Sequence, residues 1–524
     1  MQYLPEQNIL VYENAPLEVL TRCANARRLD DGRIITPATL GNLQQLRRLG
    51  LPVTTPLDRD YDWPGPYKPF HAQRITSNFL CTHPRSFVLS DMGTGKTLAA
   101  LWAADYLMRQ TSGLKALIVA PLSTLKRVWQ DEIYRNFLGR RGVSICHGTP
   151  AQRGRALAAD SDFYIVNHDG LGVGATVTRR GISFDGFSRE LQSRRDIGIV
   201  ILDEASAYKD STTRRHRIAR ALVGSRDYLW LLTGTPTPNG PQDAYGLAKL
   251  VNNAFGESFT SYDNRVRMQD GWSQFKKVPR RGAHEEVKKL LSPSVRFSID
   301  DCTDLPEMVI STREAELSAE QKQKFKELKR DCTVQLAGKQ ITAVNEAVLR
   351  MKLIQIVCGA VYDERHTAHP LDAAPRLKVL DEVIAECNEK VIIFAPLTSV
   401  INLVYAHLKD KTSVARIDGS VSTRERNDVF EGFQQRERPR VIVADPRTMA
   451  HGLTLTAAST IVWYGPVDST EQFLQANKRI HRPGQSRACR IVQIVSTEIE
   501  REIFERLRKN ESLQGLMLRL AEEK

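Results

Sequence analysis

The amino-acid sequence predicts an α/β protein of two lobes with parallel sheets, a helical insert between them and a small α+β module in front. Three observations carry this expectation. Short β-branched runs alternate with helical stretches over residues 68–251 and again from 376 onward, the pattern of strands joined by crossover helices. Between 252 and 372 the strand-like runs disappear and amphipathic stretches replace them. A chain of 524 residues is also too long for one hydrophobic core.

In chain order, residues 8–12 read as a strand, 28–35 as a hairpin turning at Asp31-Gly32, and 37–49 as a helix with Leu40, Leu43, Leu46 and Leu49 along one face. Residues 52–69, rich in proline, aspartate and aromatics, read as a linker. The first lobe should place strands at 87–89, 116–120, 163–167, 197–202 and 228–233, and the insert should place helices at 318–336 and 344–357. The second lobe reads as helix 377–387, strand 391–394, helix 399–408, strand 415–417, helix 423–433, strands 441–444 and 460–464, helix 471–479 and strand 490–495. A terminal amphipathic helix is expected over 498–520. The implied domains are a module at 1–65, a first lobe at 66–255, an insert at 256–372, a second lobe at 373–497 and a terminal helix at 498–524.

Lys plus Arg outnumber Asp plus Glu by 74 to 61, a formal charge of +13 and a pI near 9.3. That balance favours a polyanionic partner, although solvated lysines on a mildly basic enzyme would give the same figure. The eight cysteines are scattered without a C-x-x-C pair, which predicts neither zinc nor disulfides and points to a reducing compartment. No basic-then-apolar leader opens the sequence, and no apolar run of about eighteen residues occurs. The expectation is an intracellular, soluble protein with no membrane partner.

Four motifs carry chemistry. FVLSDMGTGKT at 87–97 runs from a buried strand into a glycine-rich turn. Backbone N–H groups of Met92, Gly93, Thr94 and Gly95 can cradle a polyphosphate, Lys96 can reach its outer oxygens, and the Thr97 hydroxyl suits Mg²⁺. Ser90 stands where the longer form of this pattern has its first glycine. IVILDEAS at 199–206 delivers Asp203 and Glu204 together from a buried strand, so that Asp203 can hold Mg²⁺ and Glu204 can orient and deprotonate the attacking water. LLTGTPTPN at 231–239 places the polar turn Thr233, Gly234, Thr235 after a third strand, where a coupling element or a plain turn would fit. QANKRIHRPGQ at 475–485 sets Arg479 and Arg482 three apart, able to share a helix face and stabilise charge on a transferring phosphoryl group.

GxGKT, DEAx, TGTP and QxxxRxxR, in this order, resemble the superfamily 2 helicase-like ATPases. The stretches APLSTLKRVWQDEI (120–133), LSAEQ (317–321), RIDGSVSTRERNDVFEGFQ (416–434), GLTLTAAS (452–459) and RIHRPGQ (479–485) resemble the Swi/Snf branch. The resemblance implies two RecA-like lobes and an ATP- and Mg²⁺-dependent monomer that moves along double-stranded DNA, forked or branched DNA included. Strand-separating DNA or RNA helicase and inert DNA clamp are the alternatives. It further implies that Gln73 reads the adenine, that Gln475 lies at the nucleotide, and that DNA phosphates are gripped by Ser123, Lys126, Asn167, His168, Thr398, Gly419 and Thr454. Four departures stand out: Ser206 replaces the histidine of the DEAH form, Ser90 replaces a frequent acidic residue, Thr448-Met449-Ala450 replaces Ala-Gly-Gly, and Thr454 replaces an asparagine. The Gly-Leu-Thr-Leu variant resembles minimal phage or bacterial members and the annealing-helicase (HARP-type) subgroup, and the N-terminal module resembles one that precedes the motor in that subgroup. The lack of reader domains or long tails is expected of a phage or bacterial protein rather than a eukaryotic remodeller.

Overall fold

A computed structural model describes the chain except residues 138, 180, 271–272, 299–300, 303–305, 339–342, 364–366, 450–454, 483 and 510–524. It divides into two compact units, residues 1–302 and 303–524.

The first unit is organised by Ile197–Leu202, six residues all buried, as a strand covered by helices on both faces must be. Around it the sheet runs in the order Ser294–Val295, Arg85–Val88, Tyr228–Leu232, Ile197–Leu202, Lys115–Ala120, Phe163–Asn167, Val143–Ile145. Every neighbouring pair is parallel. Five of these strands lie where the apolar runs predict them. The outer two, Val143–Ile145 and Ser294–Val295, are short and only half-buried, so no apolar period announces them.

At the N-terminus an antiparallel sheet in the order Gln2–Leu4, Ile9–Tyr12, Ile34–Pro37, Arg27–Arg28 forms with the expected hairpin, Gly32 taking φ 87° in its turn. Helix Leu40–Arg48 buries Leu43 and Leu46 against this sheet's core. The linker expected at 52–69 is instead a packed strap. Leu57 is fully buried, Trp63 meets Trp102 edge-on at 5.3 Å, the Trp102 indole N–H donates to the Pro64 carbonyl, and Tyr61 donates to the buried Asp105. The aromatics that made the stretch look like an irregular connector are the reason it packs.

The second unit holds a six-stranded, all-parallel sheet in the order Met308–Glu314, Cys489–Val495, Ala458–Trp463, Lys390–Phe394, Val441–Ala444, Val414–Ile417. A buried ion pair ties its elements together: Arg376, in helix Ala374–Ala385, donates to Glu500 in helix Glu498–Lys509 and to the carbonyls of Val357, Tyr464 and Ile494.

The stretch 252–372, expected to be free of strands, does contain helices Ala319–Gly338 and Ala343–Cys358. It also carries the antiparallel ribbon Arg267–Asp270 with Ser273–Pro279, an edge strand for each large sheet (Ser294–Val295 and Met308–Glu314), and a small hairpin of Ala360–Tyr362 with Ala368–Pro370. Met308–Glu314 is half-exposed at a sheet edge, with no residue fully buried, which explains the missing apolar alternation. Among the described residues, no helix is long and apolar enough to cross a membrane.

Candidate active site

Strand Arg85–Val88 ends in the buried Phe87 and Val88, and the chain then turns through 90–95 into helix Lys96–Gln110. Gly93 and Gly95 take φ of 89° and 77°, a region costly for any residue with a Cβ. Gly95 also lies at a close approach, since a Cβ there would sit 2.1 Å from Gln73 Nε2. Gln73 bridges the loop to its own helix, donating to the Gly95 carbonyl (3.4 Å) and accepting from the Phe70 N–H (2.9 Å). Lys96 donates to the carbonyls of Ser90 (2.8 Å) and Asp91 (2.7 Å), and Thr94 Oγ1 donates to Asp91 as well. Met92 and Thr94 are buried, while Thr97 is half-buried as the second residue of the helix. The result is a row of amide groups at the positive end of a fifteen-residue helix, a ready anion cradle.

Asp203 and Glu204 follow strand Ile197–Leu202. The Asp203 N–H donates to the Val119 carbonyl, continuing the ladder, and its carboxylate accepts from Trp129 Nε1 (3.0 Å) and from the Glu204 N–H (3.0 Å). Burial, reinforced by the neighbouring Glu204 charge, pushes the Asp203 carboxyl up to about 6, with Trp129 and Lys96 opposing. The Asp203 carboxylate, close enough to the phosphate loop to feel the Lys96 charge, and the half-buried Thr97 hydroxyl are hard oxygen donors of the kind Mg²⁺ takes together with phosphate oxygens, so the residues fit that ion. Glu204 itself takes φ 45°, a strained value for a residue with a side chain, as functional positions often do.

Strand Tyr228–Leu232 lies between the phosphate-loop strand and the Asp203 strand. The turn that follows it, Thr233, Gly234, Thr235, therefore stands between the two halves of the site. The Thr233 N–H donates to the Val88 carbonyl, and Thr233 Oγ1 accepts from the Thr235 N–H. A Cβ on Gly234 would lie 3.4 Å from the Met92 nitrogen, so this turn touches the phosphate loop directly. Among the described residues, the buried Thr235 hydroxyl finds no hydrogen-bond partner.

Two supports of the site were missed in the sequence. Trp129 lies inside APLSTLKRVWQDEI, in the π-helical turn Leu125–Gln130, yet its partner Asp203 is 74 residues away and no local signal links them. Likewise, Ser90 Oγ accepts from the Phe297 N–H, and the Leu89 and Asp91 N–H groups donate to Val295 and Phe297 carbonyls, so residues 295–297 brace the loop from the edge strand.

The residues expected at DNA are placed as follows. Ser123 and Lys126 are exposed on the helical turns Leu122–Thr124 and Leu125–Gln130 that follow strand Lys115–Ala120. Asn167 ends strand Phe163–Asn167 and accepts from Arg153, and His168 follows, half-buried. In the second unit Thr398 is the exposed first residue of helix Thr398–Leu408, and Gly419 is exposed in the turn after Val414–Ile417. Thr454 lies outside the described residues. Gln475 is buried in helix Thr470–Asn477 and donates to Glu471. That helix stops before the two arginines, so Arg479 and Arg482 do not share a helix face. Arg479 is fully buried, its carbonyl accepting from the Leu455 N–H, whereas Arg482 is half-exposed and donates to the Lys478 carbonyl. The helix ends at Asn477, and Lys478, with ψ 6°, turns the chain out of it.

A parallel sheet with a phosphate loop, an acid pair at a near strand end and a threonine turn on the strand between them defines an ATP-hydrolysing enzyme of the helicase-like class. The profile described as SNF2-related domain matches residues 20–360, more than half of the chain, and the helicase conserved C-terminal domain matches 375–484. The chain belongs to the SNF2-related family, the Swi/Snf-type branch of the superfamily 2 helicase-like ATPases. It is 27% identical over 483 residues to protein p41 of Acyrthosiphon pisum secondary endosymbiont phage 1, covering 87% of this chain and 98% of that one. It is 26% identical over 491 residues to the Gallus gallus DNA repair and recombination protein RAD54-like, covering 85% and 65%. With the Arabidopsis thaliana ISWI chromatin-remodeling complex ATPase CHR11 it shares 26% over 468 residues, covering 83% and 42%. The chain thus spans nearly all of the phage relative but less than two thirds of the other two.

Proposed function

We propose that this protein is a DNA-stimulated ATPase that uses hydrolysis to move along double-stranded DNA, displacing proteins, annealing strands or remodelling forks. The observation that carries this reading is a shared sheet edge. The C-terminal ends of adjacent parallel strands in the first unit feed the phosphate loop, the Thr233–Thr235 turn, the Asp203–Glu204 pair, the Ser123–Lys126 loop and the Asn167–His168 loop. Nucleotide and polymer would therefore be read by loops of one rigid sheet. In this reading Lys96 neutralises the outer phosphates, Thr97 and Asp203 hold Mg²⁺, and Glu204 takes the proton of the attacking water. Gln73 and Gln475 contact the nucleotide, and Arg482 stabilises charge on the transferring phosphoryl group with Arg479 buried behind it in the chain. Ser123, Lys126, Asn167, His168, Thr398, Gly419 and Thr454 grip the backbone, giving little sequence preference and steep salt dependence. The phage relative, matched over almost its full length, agrees with a minimal motor.

The test is ATP hydrolysis at fixed low salt without nucleic acid, then with duplex, forked or single-stranded DNA, or RNA, with the Glu204→Gln variant beside it. Strong stimulation by duplex is the expected result, and Glu204→Gln should bind ATP yet turn over about a hundredfold slower or worse. Stimulation by single strands or RNA alone would replace the translocase with a strand-separating helicase, and hydrolysis by neither protein would leave a static clamp.

A further inference from the structure

Beyond Glu204 the chain makes a single tight turn, Ala205–Tyr208, whose last side chain is fully buried. The Tyr208 hydroxyl lies 3.0 Å from His168 Nδ1, and the two rings meet edge-on with centroids 5.3 Å apart. Burial pushes the Tyr208 phenol well up, so it keeps its proton. Among the described residues, the hydrogen-bond partner of this hydroxyl is His168, with the direction set by the imidazole tautomer. With Tyr208 donating to Nδ1, a neutral His168 carries its proton on Nε2, the tautomer able to donate to a phosphate oxygen.

The turn is tightly packed on one side and faces a cavity on the other. On its other side, helix Ala244–Val251 presses against it: a Cβ on Gly246 would fall 2.5 Å from the Tyr208 carbonyl oxygen and 2.1 Å from that of Lys209. On the His168 side a cavity of about 370 Å³ opens, lined by His168 and Leu171 on one wall and by Ala207, Arg214 and Arg215 on another. A group entering it touches the loop after Asn167 and the turn after Glu204 together.

We propose that Tyr208 is a positioning residue that passes occupancy of the His168 loop by a nucleic-acid backbone to Glu204. This rests on the DNA reading given above. A phosphate engaging His168 reorients the ring, the ring moves the Tyr208 hydroxyl, and the one-turn connection shifts Glu204 toward the attacking water. His168 makes its polar contact with the turn of the DEAx motif from a separate loop.

The test compares wild type with Tyr208→Phe, which removes one oxygen and leaves the packed ring. Expected are unstimulated hydrolysis and duplex affinity, measured by fluorescence anisotropy, within about twofold of wild type, and a maximal duplex-stimulated rate lowered roughly tenfold. In a double-mutant cycle, Tyr208→Phe added to His168→Asn should lower stimulation no further. Full stimulation of Tyr208→Phe would overturn the proposal, as would equal loss of basal and stimulated rates or additive losses in the cycle. A wild type that duplex does not stimulate would overturn the translocase reading as well, which keeps the two failures apart.

Discussion

Replacing Trp129 by Phe should move the acid limb of ATP hydrolysis without emptying the site. The ring is fully buried and phenylalanine retains most of its packing, so the principal loss is the indole N–H that Asp203 accepts at 3.0 Å. A hydrogen bond to an ionised acceptor contributes about 1.5–3 kcal/mol. At about 1.4 kcal/mol per tenfold change in proton affinity, losing it raises the Asp203 midpoint by roughly one to two pH units. From about 6 in the intact protein, the midpoint then falls near neutrality or above it. The sign follows from which form works: the carboxylate holds Mg²⁺ and the acid does not, so activity disappears as pH falls through the midpoint. The assay is the pH dependence of kcat/KM at limiting Mg²⁺, because excess cation competes with the proton and hides the effect. Wild type should lose activity below about pH 6, and the variant should lose it already near neutrality, with both reaching similar plateaus at high pH. An unmoved acid limb with a uniformly lower plateau would refute the role assigned to Trp129.

Three further outcomes follow. Because Asp203 binds its proton more tightly in the folded chain than a free carboxyl of 3.8 does, stability should fall as pH rises between about 4 and 6. Mg²⁺ should accordingly raise the melting temperature more at pH 7 than at pH 5. Arg482→Ala should lower kcat on the order of a thousandfold while KM changes much less, and a parallel loss of both would reduce Arg482 to a binding role. Arg376→Met strips the buried Glu500 of its partner and should cost about 3–5 kcal/mol in urea unfolding of the second unit, with much of that loss recovered in Arg376→Met/Glu500→Leu.

What the sequence discloses about this fold follows from how far a signal must travel. Ile197–Leu202 and Phe163–Asn167 lie at their expected bounds because continuous burial demands continuous apolar residues. The phosphate loop was equally legible, since its glycines answer to backbone angles within a few residues. Val143–Ile145, Ser294–Val295 and Met308–Glu314 were not, because a half-exposed edge strand is defined by its partner and has no pattern of its own. The same distance problem hid the bracing of the loop by residues 295–297 and the Trp129–Asp203 bond. Residues 52–69 failed for a different reason. Proline and aspartate are local turn signals, but whether Tyr61 and Trp63 dangle or pack is decided by Trp102 and Asp105, some forty residues on.

Ser90 shows why the departures from the family pattern are informative rather than degenerate. An acidic residue at this point would place a carboxylate within reach of Lys96, whose ammonium here is satisfied by two backbone carbonyls. Serine instead keeps the position neutral and turns its hydroxyl oxygen outward to the Phe297 N–H. Main-chain and hydroxyl contacts thereby brace the loop from the edge strand, and no charge at residue 90 compensates the lysine. An incoming phosphate then meets no carboxylate at residue 90, and the two carbonyl oxygens that hold Lys96 are weaker rivals than a carboxylate there would be. The edge strand that a sequence pattern could not reveal and the serine that broke the pattern are therefore one device, in which the substitution at 90 makes sense only once Ser294–Val295 is paired beside it.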